Sequence, residues 1–112
     1  MSARKLRPGM VIREKPIRRG DLPRHSLITS VGAGGVAVMR PAVEHSMWRP
    51  IWPLLRAMRG GWAEIVSVPC GPCGAPLTDY DAARMLLRCR KCGVPHSAAM
   101  WSILALIRRG ES

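Results

Sequence analysis

Apolar positions in the first forty residues come in short groups, Met10-Val11-Ile12, Leu27-Ile28 and Val36-Ala37-Val38. Between them stand Pro8-Gly9, Gly20-Asp21, Pro23 and Gly32-Ala33-Gly34-Gly35. Groups this short, set between turn formers, predict strands joined by turns. Ser26 to Val31 and Gly35 to Arg40 flank a glycine-rich connection that can take positive φ, which predicts a hairpin. Short antiparallel strands or a small barrel follow for this half. From Pro41 to Gly61 the pattern breaks. In Trp48-Arg49-Pro50-Ile51-Trp52-Pro53 each proline removes a backbone donor and pushes the residue before it out of the helical region. An irregular connector is predicted there, ending in a short helix from Leu54 to Arg59 that Gly60-Gly61 stops. Trp62 to Val68 is β-branched and alternates as a strand does. Ser97 is a candidate N-cap for a helix from Ala98 to Arg109, closed by Arg108, Arg109 and Gly110. Its Met100, Trp101, Ile103, Leu104, Leu106 and Ile107 cover most of the circumference, so the helix is buried on several sides or meets a partner.

The predicted class is therefore small α+β, mostly β with a C-terminal helix. It divides into a basic β-rich part (1–45), a Pro/Trp connector (46–61), a cysteine-bearing segment (62–96) and the helix (97–109). A chain of 112 residues excludes two large domains, and an apolar share of 47% excludes a disordered basic tail. With no Phe, the core must come from Val, Ile, Leu, Met, Ala and four Trp. Gly9, Arg13, Glu14 and Lys15 fall where a secretory signal would need an unbroken apolar run. The most apolar stretch, Ala98 to Ile107, is half the roughly 20 residues of a bilayer-spanning helix. A cytoplasmic, reducing location and no membrane partner are expected, and there cysteines bind metal more often than they form disulfides.

The four cysteines are spaced Cys70-x2-Cys73, fifteen residues, Cys89-x2-Cys92, within the range of a four-cysteine zinc site. Two intervening residues let a tight turn aim both thiolates at one ion, and two such turns complete a tetrahedron. A glycine follows each pair, Gly74 and Gly93, where positive φ turns backbone N–H groups toward the sulfurs. Cys70-Gly71-Pro72-Cys73-Gly74 and Cys89-Arg90-Lys91-Cys92-Gly93 make the segment resemble the zinc-ribbon superfamily. That resemblance, over residues 62–96, implies one structural Zn²⁺ on Cys70, Cys73, Cys89 and Cys92 and a hairpin joining the two knuckles. It implies no single activity, because ribbons serve transcription factors, polymerase subunits, ribosomal proteins and plain structural modules. Few large apolar side chains lie between residues 66 and 96, so the segment needs the metal and also packing on the rest of the chain, the C-terminal helix first.

Other chemistries stay open at this stage. Tetrathiolate iron uses similar knuckles. Cys70-Gly71-Pro72-Cys73 has the letters of a thioredoxin active site, but no alternating βα pattern surrounds it and Pro76 interrupts a following helix. His96, four residues after Cys92, is a candidate extra ligand or acid but reads first as an ordinary surface residue at the helix entry, and His25 and His45 are isolated. No nucleophile, base and orienter set is legible, and Gly32-Ala33-Gly34-Gly35 lacks the lysine and hydroxyl of a phosphate-binding loop. Four thiolates leave a metal no open position, so no enzymatic role is expected.

Charge points to a partner. Residues 1–60 carry twelve Lys and Arg against three acids, a balance of +9, whereas residues 61–112 carry six against four, a balance of +2. Fifteen of the eighteen basic residues are Arg, whose planar fork bonds phosphates bidentately. Three clusters are candidates for DNA or RNA phosphates: Arg4, Lys5 and Arg7; then Arg13, Lys15, Arg18, Arg19 and Arg24; then Arg88, Arg90 and Lys91 at the second knuckle. Trp48 and Trp52 are candidate stacking surfaces, with core packing as the alternative. The leading expectation is a non-enzymatic nucleic-acid-binding protein. The rival is a zinc-stapled adaptor or subunit of a large assembly, docking through Trp101, Leu104 and Ile107.

Overall fold

The computed structural model describes residues 6–40 and 43–111, and for 43–45 and 111 the backbone alone. The strands are β1 (Val11–Glu14), β2 (Arg24–Val31), β3 (Gly35–Arg40), β4 (Val43–Pro50), β5 (Ala63–Val66), β6 (Asp79–Asp81), β7 (Leu86–Arg88) and β8 (Pro95–Ser97). Helix α1 (Ile51–Arg59) lies between β4 and β5, and α2 (Met100–Glu111) follows β8. Two antiparallel sheets result, a five-stranded one in the order β4-β3-β2-β1-β5 and a three-stranded one in the order β6-β7-β8. The larger sheet is open among the described residues, with β4 and β5 as its edges, so the barrel alternative does not hold.

The paired apolar residues of the N-terminal half follow from a sheet covered on both sides. Neighbours along a strand point to opposite faces, so Val11-Ile12 and Leu27-Ile28 each serve two cores. Val66, Val11, Leu27 and Met39 stand opposite one another across four strands and face α2 and the smaller sheet. Ile12, Ile28, Val36 and Val38 face α1, meeting Ile51 and Leu54. α1 presents Ile51, Leu54, Leu55 and Met58 on one side, the i, i+3, i+4, i+7 stripe of a helix packed on one surface.

The predicted β2–β3 hairpin is present, with β3 on the expected bounds and β2 starting two residues earlier, at Arg24. The predicted irregular connector over 46–61 is corrected: its first part is the edge strand β4, and α1 starts at Ile51 rather than Leu54. Both prolines are accommodated. Pro50 ends an edge strand, where a missing N–H disrupts least, and Pro53 is the third helical residue, whose N–H has no intrahelical acceptor. Gly34 O accepts the Ile51 N–H at 3.0 Å in place of a side-chain cap. The Trp48 ring lies on the hairpin turn, so close to Gly35 that a Cβ there would clash with both the indole and the Arg49 carbonyl. At the other end of α1, Gly61 takes φ +79°, and Trp62 N–H bonds Ala57 O at 2.8 Å while Gly61 N–H bonds Met58 O at 3.2 Å, the double closure that needs a glycine at this position.

The expected boundary at residue 62 also shifts. β5 pairs with β1 and belongs to the larger sheet, so the cysteine-bearing part begins after it. α2 starts at Met100, two residues later than expected, and runs through Gly110. Ser97 Oγ accepts the Ala99 N–H at 3.2 Å. Ile103, Leu106 and Ile107 of α2 share one core with Val68, Leu77 and Leu87, so the cysteine-bearing part does pack on the C-terminal helix. Among the described residues no helix is long and apolar enough to cross a membrane.

Candidate metal centre

Each cysteine pair sits in a turn of the same construction. In the first, an isolated bridge between Pro69 and Pro76 closes the base, the Cys70 N–H bonds Ala75 O at 2.8 Å, and the Gly74 N–H bonds Cys70 O at 2.8 Å. In the second, between β7 and β8, the Cys89 N–H bonds Val94 O at 3.1 Å and the Gly93 N–H bonds Cys89 O at 2.8 Å. Gly74 and Gly93 share φ +76°, a conformation that L side chains rarely adopt. The β6–β7 hairpin carries the chain from one turn to the other, as the resemblance to zinc ribbons implied.

The four sulfurs converge. Their Sγ atoms all lie within 4.8 Å of one another, with Cys70–Cys92 at 3.6 Å and Cys73–Cys89 at 3.5 Å. These separations far exceed the roughly 2.05 Å of a disulfide. They match the edge, about 3.8 Å, of a tetrahedron with metal–sulfur bonds of about 2.3 Å. Cys70 and Cys89 are buried, and Cys73 and Cys92 are exposed, so the cluster sits at the surface with one side against the core. It is a four-cysteine cluster that could hold one metal ion.

The thiols of the two turns are unequal before any metal binds. The backbone N–H of Cys92 stabilises a thiolate on Cys89 against the cost of burial and brings it down to about 6. At Cys70 the corresponding N–H of Cys73 acts in the same sense, but burial and the neighbouring sulfurs prevail and push the thiol up to about 12. His96 proves to be part of the centre. β8 places its Nε2 3.3 Å from Cys70 Sγ, within reach of an N–H···S bond that orients that ligand. The expectation of an ordinary surface residue is thus corrected: its position four residues after Cys92 was the one sign in the sequence, and pairing of β7 with β8 is what brings it there. No family model, curated protein or solved structure matches this chain.

The basic candidates fall in two places. Arg13 is ion-paired with Glu64 across the β1–β5 edge, and Arg90 with Asp79 at 2.7 Å, so each has an acid partner. Lys15, Arg18, Arg19 and Arg24 are exposed on or beside the β1–β2 loop. Arg88 and Lys91 are exposed near the second cysteine turn. Arg7 is exposed, and Arg4, Lys5 and the His45 side chain lie outside the described residues. Trp52 is exposed on α1, and Trp48, whose ring lies against the hairpin turn, is still 56% exposed. Of the three docking candidates on α2, Trp101 is 76% exposed, Leu104 is half-buried, and Ile107, at 3%, belongs to the core and is closed to a partner.

Proposed function

We propose that this is a non-enzymatic, metal-stapled protein that binds DNA or RNA mainly through arginine–phosphate contacts. Cys70, Cys73, Cys89 and Cys92 hold one structural Zn²⁺ in a zinc-ribbon arrangement, with all four positions taken by sulfur and none left for substrate. The donor set supports the metal, and His96 supports its retention by bonding one ligand.

The observation that carries the nucleic-acid reading is the gathering of charge at one end of the larger sheet. The β1–β2 loop brings Lys15, Arg18, Arg19 and Arg24 there, and the last turn of α1, which ends beside β5, brings Arg59. Nearby Glu14 and Glu64 are engaged by Arg49 and Arg13. A preorganised set of exposed guanidinium groups binds phosphates with little ordering cost. The adaptor reading is weaker, since α2 spends Met100, Ile103, Leu106 and Ile107 on its own core and offers Trp101 alone as a large exposed side chain.

Affinity for mixed DNA and RNA oligonucleotides, measured over rising salt on protein of known zinc content, tests this. The expected result is one zinc per chain and an affinity that falls steeply with salt. Binding by neither nucleic acid at low salt removes the reading.

A further inference from the structure

The β1–β2 loop is built as a projecting arm. Its sequence, Pro16-Ile17-Arg18-Arg19-Gly20-Asp21-Leu22-Pro23, is nearly symmetric about its centre, with a proline and an aliphatic residue on each limb. The tip is a tight turn in which the Asp21 N–H bonds Arg18 O at 3.2 Å and Gly20 takes φ +89°. The base is fixed too. Glu14 pairs with Arg24, the Lys15 N–H bonds Trp62 O at 2.9 Å, and Pro16 and Pro23 stand around a common hollow with Trp62. Ile17 is 84% exposed and Leu22 79%, and with Pro16, Arg18, Arg24 and one acid, Asp21, they line the concavity of the arm. The arm and its flanks, residues 15–24, carry four basic residues and one acid. Neither aliphatic side chain contributes to either core of the chain.

We infer that this arm reads the major groove of duplex DNA, with Arg18 and Arg19 directed at guanine edges and Ile17 and Leu22 at thymine methyl groups. The inference rests on the nucleic-acid reading above and chooses between DNA and RNA within it. Three features carry it. The arm is a two-limbed loop with no strand between Glu14 and Arg24, closed by its tip turn, and the wide groove of about 12 Å admits such a projection more readily than one of about 6 Å. The arginine fork bonds guanine O6 and N7 together, and aliphatic side chains contact the thymine C5 methyl. The order of residues matters as well: the arginines lead and the aliphatic pair stands behind them. A loop entering a lipid surface has the reverse order, with apolar groups deepest and cations at headgroup level. Duplex RNA offers neither an accessible major groove nor a thymine methyl.

The test compares fluorescence anisotropy titrations of the zinc-loaded full chain with four probes: a mixed-sequence duplex DNA, the same DNA with deoxyuridine for thymidine, the equivalent duplex RNA, and phosphatidylserine vesicles. DNA should bind more tightly than RNA. Deoxyuridine should weaken binding about threefold per lost methyl contact. Ile17→Ala with Leu22→Ala should abolish the preference for thymidine while keeping the salt dependence. Arg18→Ala with Arg19→Ala should weaken DNA binding at least about tenfold. All four positions are exposed, so zinc content and the thermal transition should stay at wild-type values. Equal affinity for DNA and RNA, or arm variants that bind DNA as the parent does, overturns the arm while leaving general nucleic-acid binding standing. Binding to vesicles that the arm variants lose, with DNA binding intact, reassigns the arm to a lipid surface. Failure to bind any nucleic acid overturns both readings.

Discussion

Strands of the larger sheet run four to eight residues, and β1 and β2 within it bury side chains on both faces, whereas β6, β7 and β8 run three residues each and contribute Leu87 as their one fully buried aliphatic side chain. The first region is held by area removed from water, in two cores separated by the sheet itself. The second has too little apolar surface to order its turns, and its four sulfurs stand where aliphatic side chains would otherwise be needed. Two kinds of cohesion thus occupy one small chain, and they meet where Val11 and Leu27 share a core with Leu87, Cys70 and Cys89.

The largest expected effect comes from removing the metal. A structural four-cysteine zinc contributes roughly 10 to 16 kcal/mol to folding. Chelation should therefore erase amide exchange protection across β6, β7 and β8 and leave it in β1, β2 and β3. Equal protection of both sheets in metal-free protein would show that sulfur convergence is incidental to the fold. A smaller effect probes the other side. Ile28 is fully buried against α1, away from the cysteines, and Ile28→Ala should cost about 2 to 5 kcal/mol in urea unfolding while zinc stoichiometry stays unchanged. Loss of zinc in that variant would mean the two regions are not separable.

The gentlest probe is pH. Cys70, raised to about 12, keeps its proton at neutral pH, so metal uptake must displace it, and this ligand by itself contributes about a tenfold fall in affinity for each unit of acidification. Cys89, lowered to about 6, is already a thiolate at neutral pH and adds its own proton only below that value. Chelator competition across this range should show a slope that steepens below about 6. A slope that stays constant through that value would contradict the inequality of the two thiols.

The two regions also differ in how much of them is legible in the sequence. The cysteine cluster announces itself because its spacing is a local property: two residues between cysteines and a glycine after each pair suffice. The β2–β3 hairpin is legible for a similar reason, through its glycine-rich turn. Strand β4 is not, because whether Pro50 breaks a strand or ends an edge depends on having a neighbour on one side only. The membership of β5 is equally hidden, since Val11 meets Val66 across more than fifty residues of chain. The apolar circumference of α2 does show that several sides need cover, and the structure supplies most of that cover from the chain itself.

The row formed by Val66, Val11, Leu27 and Met39 has a consequence in time. Synthesis proceeds from the N-terminus, so all five strands of the larger sheet leave the ribosome before Ile103, Leu106 and Ile107 exist. For that interval the sheet has α1 on one side and, on the other, aliphatic groups that Val68, Leu77 and Leu87 cover only in part, a surface on which nascent chains adhere to one another. Completion of α2 is what closes it, and a message truncated between β8 and α2 should yield an aggregating product even though every metal ligand has already been made.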